Sequence, residues 1–463
     1  MEWESIIGLE IHAELNTKTK LFCACENRFG GKANTRVCPV CTGVPGSLPV
    51  LNRAAVRAAI RTGVALGCKI RPKSQWARKH YAYPDLPKGY QISQHKTPLC
   101  YDGLVAFRVG NEEKTVRIRQ INLEEDAGKL IHEKEETMID YNRCGVPLIE
   151  IVTEPDLCSA TEACALLEQI RLILLYLGVS DCRMQEGSLR CDVNVSLKEP
   201  GSETLGPRVE MKNINTFSGA ERAIIFEIER QTKLLNQGGT VVQETRRWDD
   251  VKQTSTLLRS KENAEDYRFF PEPDLPMLVL QDQERKEDLP ELPLARFYRY
   301  REAGIGETDA TLMIASPQMA GLLDECLALG CVPRAAATVL LNLGEARLVL
   351  RAQQIYEVLQ ATEDGIISKT AARRVLEYLM EYDATVEQAI TALNLRHVGE
   401  EPQLMEWVRA TLSAYPNAVL DYRAGKKNAF GFLTGQCMRA SKGRADPKRL
   451  QEILRSELDG YNQ

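Results

Sequence analysis

Three adjacent carboxylates lie within the stretch INLEEDAGK (121–129). Glu124, Glu125 and Asp126 repel one another, so they need either bulk water or a cation beside them. Clustered carboxylates suit a hard cation such as Mg²⁺, which prefers oxygen ligands and keeps several waters. A solvated charge run in a loop is the alternative, and the pattern alone leaves both open.

Several segments of alternating polarity carry the other candidate ligands. SIIGLEIHAEL, RCDVNVSL and PRVEMKN each alternate with a period of two, and PLIEIVTEPD is a short apolar run, so we predict strands with one polar face. The polar side chains of these strands are Glu10, His12, Glu150, Asp192, Asn194, Glu210 and Lys212. Magnesium held by carboxylates, with Lys and Arg for phosphate, is typical of phosphoryl transfer. An open sheet with a polar solvent face is the alternative.

Four cysteines have the spacing of a metal knuckle. Cys23 and Cys25 are followed, after twelve residues, by Cys38 and Cys41. Two close pairs of thiolates supply the tetrahedral sulfur set that Zn²⁺ prefers, and four thiolates leave no open position for catalysis. We therefore predict a structural zinc, with unmetallated thiols as the alternative.

Two segments could contact nucleic acid. RKHYAYPDLPKGYQISQ (78–94) interleaves basic and tyrosine residues around two prolines, as in a loop that lines a polar passage or touches nucleic acid; a packed surface loop is equally compatible. The tail after residue 403 carries Lys and Arg among Gly and Ser, which suits RNA phosphates without sequence reading. A solvated helical surface is the alternative there.

Length and composition limit the possibilities. The chain has 463 residues, a net charge of −5 and 44% hydrophobic residues, so we expect about three domains. It is not broadly basic, so a nucleic-acid partner must meet a local patch. No apolar run approaches the roughly 18 residues of a membrane span, and the N-terminus has no basic or apolar leader, which predicts a cytoplasmic protein.

The elements predicted to position these groups form an α+β fold. The strands favour an antiparallel sheet with helices on its apolar face. The clearest helix is 159–178, with Ser159 and Glu162 at capping-box spacing and Gly178 at its end. A proline-rich stretch places a domain boundary at about 293, beyond which the pattern is helical, and 394–403 resembles a linker.

The sequence lacks the common motifs of nucleotide-binding and amidase sites. It has no GxxxxGK[ST] loop, no GxGxxG after a strand and no Gly/Ser-rich amidase segment.

Eight stretches nevertheless resemble one family, and they occur in the same order as in that family: GLEIHAEL, YPDLPKGYQISQ, LEEDAGK, GVPLIEIVTEPD, EGSLRCDVNVS, EMKNINT, QETRRWD and YRFFPEPDLP. The family is that of the B subunits of tRNA-dependent amidotransferases, which make Gln-tRNA(Gln), and often Asn-tRNA(Asn), from the mischarged tRNA. The resemblance covers essentially the whole chain.

This resemblance implies an antiparallel-sheet cradle (1–293) with a zinc knuckle, an all-α helical domain (294–398) and a small helical tail domain contacting tRNA (399–463). The cradle would use ATP and Mg²⁺ to phosphorylate the side-chain carboxylate of Glu-tRNA(Gln) and/or Asp-tRNA(Asn). Ammonia from glutamine would arrive from a separate amidase subunit, and a small clasp subunit would complete a heterotrimer.

The resemblance also assigns roles to residues. The expected catalytic set is Glu10, His12, Glu124, Glu125, Glu150, Asp192 and Glu210. Of these, Glu10, His12, Glu125 and Glu150 would bind Mg²⁺. Lys129, Arg190 and Lys212 would face ATP phosphates, Lys79 and Lys88 would line the ammonia passage, and Cys23, Cys25, Cys38 and Cys41 would bind zinc.

Two other functions are compatible with the sequence. One is a non-catalytic, zinc-stabilised tRNA-binding scaffold, although acidic clusters on several strands favour an enzyme. The other is a stand-alone ATP-dependent amide ligase using free ammonia, against which the basic tail argues.

Overall fold

The computed structural model describes residues 3–133, 136–260, 267–343, 348–398 and 401–460. The chain divides into two compact units, residues 1–295 and 296–463. The first contains a large sheet with helices and the second is helical, so the predicted α+β class is confirmed. The finer three-domain division stays a prediction, and its second boundary falls at residues 399–400, outside the described residues.

The secondary structure of the first unit begins with a long strand. Its strands are β1 (Glu4–Glu14), β2 (Lys69–Ile70), β3 (Lys73–Ser74), β4 (Trp76–His80), β5 (Tyr90–Gln94), β6 (Cys100–Val109), β7 (Glu112–Glu125), β8 (Lys129–Glu133), β9 (Glu136–Asp140), β10 (Pro147–Thr153), β11 (Leu189–Lys198), β12 (Val209–Ile214), β13 (Glu244–Asp249), β14 (Thr254–Ser260), β15 (Phe270–Pro271) and β16 (Leu278–Val279). Its helices are α1 (Arg53–Ala65), α2 (Ala160–Leu177) and α3 (Phe217–Asn236), with a 3₁₀ turn at Met184–Glu186.

The described part of the second unit is built from helices. They are α4 (Pro293–Glu302), α5 (Glu307–Ile314), α6 (Pro317–Ala328), α7 (Pro333–Asn342), α8 (Ala352–Glu363), α9 (Lys369–Glu381), α10 (Val386–Ala392), α11 (Glu401–Ala414), α12 (Pro416–Arg423), α13 (Lys427–Ala440) and α14 (Pro447–Gly460). One hydrophobic cluster lies among α4 to α10 and another among α11 to α14. Within the described residues, no helix is both long and apolar enough to cross a bilayer.

A nine-stranded sheet organises the first unit, in the order β14-β13-β12-β11-β1-β10-β7-β6-β2. Its neighbouring strands pair antiparallel, as the alternation predicts, except that β12 and β13 are parallel. Parallel neighbours need a long crossover, and helix α3 provides it between these two strands. The sheet is therefore antiparallel in all but one pairing.

The apolar face of the sheet forms the core of the unit. On β1, Ile7, Leu9, Ile11 and Ala13 are almost fully buried and belong to one cluster with residues of α1, α2 and α3. Because successive side chains of a strand point to opposite faces, this burial turns the polar residues of β1 to the other side. The core thus fixes which face carries the candidate ligands.

Helix α2 has the ends that the sequence predicts. The Ser159 side chain accepts a hydrogen bond from the Glu162 backbone N–H, and the Glu162 carboxylate accepts one from the Cys158 N–H at 2.8 Å. Gly178 ends the helix with a φ of 66°, a left-handed conformation that glycine adopts without strain.

Two glycines in helices provide a matched test of the packing. A Cβ at Gly63 of α1 would lie 2.5 Å from the Cys100 Sγ atom and 3.0 Å from the Ile70 Cδ1 atom, whereas a Cβ at Gly321 of α6 would meet nothing within 4 Å. We expect Gly63→Ala to destabilise its unit by about 2 kcal/mol through overpacking. Gly321→Ala should stabilise its own unit by about 0.5–1 kcal/mol, because alanine is the better helix former. Hydrogen exchange of peptides from α1 and α6 measures both, and equal effects would contradict the packing.

Candidate active site and metal centres

The central strands of the large sheet bring polar side chains together on one face. His12 on β1 pairs with Glu150 of β10 on one side and with Arg190 of β11 on the other. Glu10 pairs likewise with Asp192. Directly paired residues point their side chains to the same face. The strand pairing therefore assembles groups that are far apart in the sequence.

Four of these groups form what we call the carboxylate cluster: Glu10, His12, Glu124 and Glu150. The His12 Nε2 atom lies 3.6 Å from a Glu150 oxygen, 3.7 Å from a Glu10 oxygen and 3.9 Å from a Glu124 oxygen. Ligand atoms of Glu10, His12 and Glu150 all lie within 4.8 Å of one another. The cluster is therefore compact enough to hold one metal ion.

The electrostatics of the cluster show an excess of negative charge. Burial, then the neighbouring Glu150 carboxylate, raises the pKa of Glu10 to about 8. Burial by itself would lower the pKa of His12, but contact with Glu150 and the other carboxylates raises it to about 9. Burial would raise the pKa of Glu150, but His12 holds it below its usual range. The protein on its own thus balances these carboxylates with protons, which a cation can replace.

Hydrogen bonds from neighbouring side chains orient the carboxylates. The Ser93 hydroxyl donates to the Glu124 carboxylate at 2.8 Å. The Asn122 Nδ2 atom donates to Glu150 at 2.6 Å, while the Asn122 Oδ1 atom is buried without a hydrogen-bond partner. An orphaned buried oxygen beside carboxylates is a further potential ligand, and an oxygen-rich set favours a hard cation.

Glu125 lies apart from the cluster, although the sequence places it among the metal ligands. Its carboxylate forms an ion pair with Lys88 and accepts a hydrogen bond from the Ile92 backbone N–H at 2.9 Å. The reason is the period of two, which turns Glu125 away from Glu124 on the same strand. The set that the structure assembles therefore includes the predicted Glu124 and leaves out Glu125.

Asp126, the third acid of the run, lies in a separate network that the sequence assigned no role. Burial would raise its pKa, but the charges of Arg190 and Arg143 lower it to about 2. Its carboxylate lies 2.6 Å from Arg190 and 3.6 Å from Arg143. Glu14 contacts it, and burial together with Asp126 raises the pKa of Glu14 to about 8. The alternation of β1 could have identified Glu14 as a site residue, because Glu14 lies on the same face of the strand as Glu10 and His12.

Lys212 lies on the opposite flank of β1. Its ammonium is 2.5 Å from Asp192 and 2.9 Å from Glu210, and Glu210 also accepts a hydrogen bond from the Thr245 hydroxyl at 2.8 Å. Burial would lower the pKa of Lys212, but Asp192 and Glu210 raise it. The predicted residues of β11 and β12 therefore form one charged group.

The remaining predicted lysines differ in position. The Lys79 ammonium lies 4.8 Å from the Tyr267 ring centroid. Burial would lower its pKa, but the charges of Glu124 and Glu150 raise it, so Lys79 faces the carboxylate cluster. Lys129 is exposed at the start of the β8–β9 hairpin, and it forms no ion pair with the other predicted site residues that the structure describes.

The four predicted cysteines come together as a thiol group. The Sγ atoms of Cys23, Cys25, Cys38 and Cys41 all lie within 4.8 Å of one another. The Cys41 and Cys38 sulfurs are 3.9 Å apart, which matches the roughly 3.8 Å between sulfurs on a tetrahedral metal with bonds of about 2.3 Å. This group can therefore hold a metal ion with thiolate ligands.

A buried lysine accompanies the thiol group. Lys20 is fully buried, with its ammonium 2.8 Å from the Arg36 carbonyl and 3.7 Å from the Cys41 sulfur. A buried ammonium needs hydrogen bonds and a compensating charge, and a four-thiolate metal site carries net negative charge. Lys20 would therefore balance part of the negative charge of a metal ion held by the thiol group, although its spacing gave no signal in the sequence.

Two models of known protein families match the chain. Residues 5–286 match the family model described as the GatB/GatE catalytic domain, and residues 341–458 match the one described as the GatB domain. The chain is 45% identical to the B subunit of the aspartyl/glutamyl-tRNA(Asn/Gln) amidotransferase of Caldicellulosiruptor saccharolyticus, over 99% of this chain and 100% of that protein. It is 44% identical to the protein of the same name from Thermoanaerobacter pseudethanolicus, over 99% of this chain and 100% of that protein.

Proposed function

Because the chain belongs to the family of tRNA-dependent amidotransferase B subunits, we propose that its carboxylate cluster is a phosphoryl-transfer site. The reaction activates the side-chain carboxylate of Glu-tRNA(Gln) and/or Asp-tRNA(Asn) with ATP and then converts it to the amide. The observation that carries this proposal is the sheet face on which Glu10, His12, Glu124 and Glu150 converge between cationic groups. A scaffold that only binds RNA phosphates has no use for such a concentration of acid.

The chemistry requires an activated carboxylate. An oxygen of the substrate side chain attacks the γ-phosphorus of ATP, the bond to ADP breaks, and an acyl phosphate forms. Neutral ammonia then attacks the acyl carbon, inorganic phosphate leaves with the attacking oxygen, and the nitrogen loses a proton. Acyl phosphates hydrolyse readily, so a site that excludes water and receives ammonia directly protects the intermediate.

The residues of the cluster suit a magnesium site. Glu10, His12 and Glu150, with Glu124 and the orphaned Asn122 oxygen beside them, would hold the ion. A bound Mg²⁺ neutralises phosphate charge and orients the transferring group. Of the two adjacent acids that the resemblance implies for this site, Glu124 is kept as a ligand in this assignment and Glu125 is not.

The cationic groups suit the nucleotide. Lys212, between Asp192 and Glu210, and Arg190, held by Asp126, lie on the β11–β12 flank and would bind ATP phosphates. Charged hydrogen-bond donors held by carboxylates are preorganised, so they need little rearrangement as charge develops. Lys129 is exposed and is the weakest member of this predicted set.

We place the ammonia passage beside Lys79 and Lys88. Lys88 is nearly buried and paired with Glu125, so we place Glu125 at the passage with it. The Lys88–Glu125 pair carries no net charge, so it does not attract ammonium, and neutral ammonia is the species that attacks the acyl phosphate. The ammonia would come from glutamine hydrolysed by a separate amidase subunit, and a small clasp subunit would complete the complex.

The thiol group and the second unit take supporting roles in the proposal. The four thiolates would hold a structural Zn²⁺, which leaves no open coordination position. Residues 294–398 and the basic tail 399–463 would hold the body of the tRNA. We place the complex in the cytoplasm, where tRNA is charged.

The proposed magnesium site leads to a pH prediction. Since the pKa values of Glu10 and His12 are raised to about 8 and about 9, both groups keep a proton at pH 7 and oppose a cation. Metal binding must release these protons. We expect the apparent Mg²⁺ affinity to rise with pH between 6.5 and 9, by up to about ten-fold per pH unit for each proton released, and to level off above that range.

Isothermal titration of the full chain with MgCl₂ at several pH values measures this dependence. Glu112→Gln is the matched control, because Glu112 is an exposed residue at the far end of β7, and it should keep the wild-type profile. A Mg²⁺ affinity that does not change with pH would contradict the assignment of Glu10 and His12 as ligands.

The function itself is tested with the chain, its amidase and clasp partners, glutamine, ATP and mischarged Glu-tRNA(Gln). We expect ADP and Gln-tRNA(Gln) in equal amounts, and little ADP when the tRNA carries glutamine or no amino acid. Tight tRNA binding without any tRNA-dependent ADP would instead favour a non-catalytic scaffold.

A further inference from the structure

A basic cavity on the polar side of the sheet has no role in the function proposed above. Its volume is about 590 Å³, and its lining includes Arg71, His95, Lys96, Tyr101 and Gln120. We call it the β6–β7 cavity, after the strands that form its floor. It lies on the other flank of the carboxylate cluster from Lys212, because β7 and β12 are on opposite sides of β1.

Strand register relates the cavity to the cluster. Gln120 pairs with Tyr101 of β6, and Asn122, two residues further along β7, pairs with Glu150. Residues two apart in a regular strand point to the same face and lie about 7 Å apart. The cavity therefore begins about 7 Å from Asn122, the residue that orients Glu150.

Arg71 provides an anion-binding group that is not satisfied within the protein. Its guanidinium carbon lies 4.2 Å from the Tyr101 ring centroid, and its Nε atom is buried without a hydrogen-bond partner. A buried N–H without an acceptor destabilises the protein unless a bound ligand supplies the acceptor. Stacking on Tyr101 holds the guanidinium plane in place for such a ligand.

The charge in the cavity is modest. Arg117 is paired with Asp156 at 2.5 Å and Arg119 with Glu154 at 2.8 Å, and Asp102, the other carboxylate of the lining, is paired with Lys69 at 2.8 Å. Among the residues that the structure describes, Arg71 and Lys96 form no ion pair with a carboxylate. Two such cations suit the single charges of phosphodiesters better than the clustered charge of a triphosphate. Stacked rings are also present, since His95 lies on Phe269 with centroids 4.1 Å apart.

We propose that the β6–β7 cavity binds the single-stranded 3′-terminal nucleotides of the aminoacylated RNA. Arg71 and Lys96 contact phosphodiesters, and the rings of Tyr101 and His95 offer surfaces on which bases stack. This inference rests on the proposed function, because the amino acid is attached to the terminal ribose and must reach the cluster from a neighbouring site. The β11–β12 flank is then left for ATP, so the two substrates approach from opposite sides.

The test uses the full chain and two labelled RNA hairpins that reproduce an acceptor stem, one with its single-stranded 3′ end and one with a blunt end. Fluorescence anisotropy gives the affinity of each for wild type, Arg71→Gln and Lys96→Gln. The exposed Arg53 of α1 provides the control, Arg53→Gln. We expect Arg71→Gln to weaken binding of the overhang hairpin about ten-fold, with little change for the blunt hairpin or for the KM of ATP.

Lys96 is exposed, so Lys96→Gln should fold normally and can be measured even if Arg71→Gln disturbs folding. We expect Lys96→Gln to weaken binding of the overhang hairpin about five-fold. Unchanged overhang affinity in both variants, or weaker ATP binding instead, would overturn the proposal. If the wild-type complex forms ADP in response to mischarged tRNA while overhang affinity is unchanged, only this inference fails. If the wild-type complex forms no such ADP, the proposed function fails whatever the variants bind.

Discussion

Glu150→Gln is expected to lower ADP formation dependent on mischarged tRNA by about 1,000-fold, which corresponds to about 4 kcal/mol of transition-state stabilisation. The Glu150 carboxylate lies 3.6 Å from His12 and accepts a hydrogen bond from Asn122 at 2.6 Å. Glutamine has nearly the same shape but removes the charge, so the cluster would lose its most strongly ionised ligand. The reconstituted complex with glutamine, ATP and Glu-tRNA(Gln) gives the measurement.

The control for this variant is again Glu112→Gln, an exposed carboxylate on β7 roughly 40 Å along the strand from Glu124. It should form ADP at the wild-type rate. Binding of the tRNA should be unchanged in both variants, which separates a chemical defect from a binding defect. Wild-type ADP formation by Glu150→Gln would mean that the acidic face is solvated surface and not a phosphoryl-transfer site.

Cys41→Ser is expected to abolish metal binding by the thiol group and to destabilise the first unit by about 3 kcal/mol or more. Cys41 is buried, and the Lys20 ammonium lies 3.7 Å from its sulfur. Loss of the metal would leave that fully buried ammonium without its compensating charge. Elemental analysis gives the zinc content, and chemical denaturation with and without a chelator gives the stability.

Cys158→Ser is the matched control, because Cys158 is exposed and outside the thiol group. It should keep one zinc per chain and change the free energy of unfolding by less than about 0.5 kcal/mol. In Cys41→Ser the chelator should have no further effect. A zinc content in Cys41→Ser equal to that of wild type would show that these thiols do not hold the metal.

The fold class and the thiol group were accessible from the sequence because both depend on local spacing. Alternation of apolar and polar residues in β1 and β11 defines two faces without knowledge of the partner strands. Two cysteine pairs can approach only if the intervening chain turns back, and the structure brings their four sulfurs within 4.8 Å. The parallel pairing of β12 and β13 was not accessible from alternation, because it follows from the crossover through α3.

The ligand set was only partly accessible. The resemblance placed Glu124 and Glu125 together, but adjacent residues of one strand face opposite ways, and Glu125 pairs with Lys88. A solvated loop was one of two alternatives for this run, and side chains in a loop need not alternate; β7 in fact continues to Glu125. The partnership of Asp126 with Arg190 joins residues 64 positions apart, and only the sheet order reveals it.

The buried position of Lys20 could not be read from the sequence at all. Lysine is rarely buried unless it is paired, and its partners are a thiol and the backbone carbonyls of Arg36 and Tyr141. Those acceptors are aligned by the loop around the thiol group and by the turn after β9. Such a site depends on tertiary structure and has no signature in spacing.

Transfer of a side-chain oxygen of the substrate to phosphate distinguishes phosphorylation of the carboxylate from other routes to the amide. Glu-tRNA(Gln) labelled with ¹⁸O in both side-chain carboxylate oxygens is converted by the complex with ATP and glutamine, and the phosphate is analysed by mass spectrometry. Activation as an acyl phosphate predicts one ¹⁸O atom in inorganic phosphate for each glutamine formed. Amide formation with unlabelled phosphate would contradict phosphorylation of the carboxylate, and with it the role assigned to the carboxylate cluster.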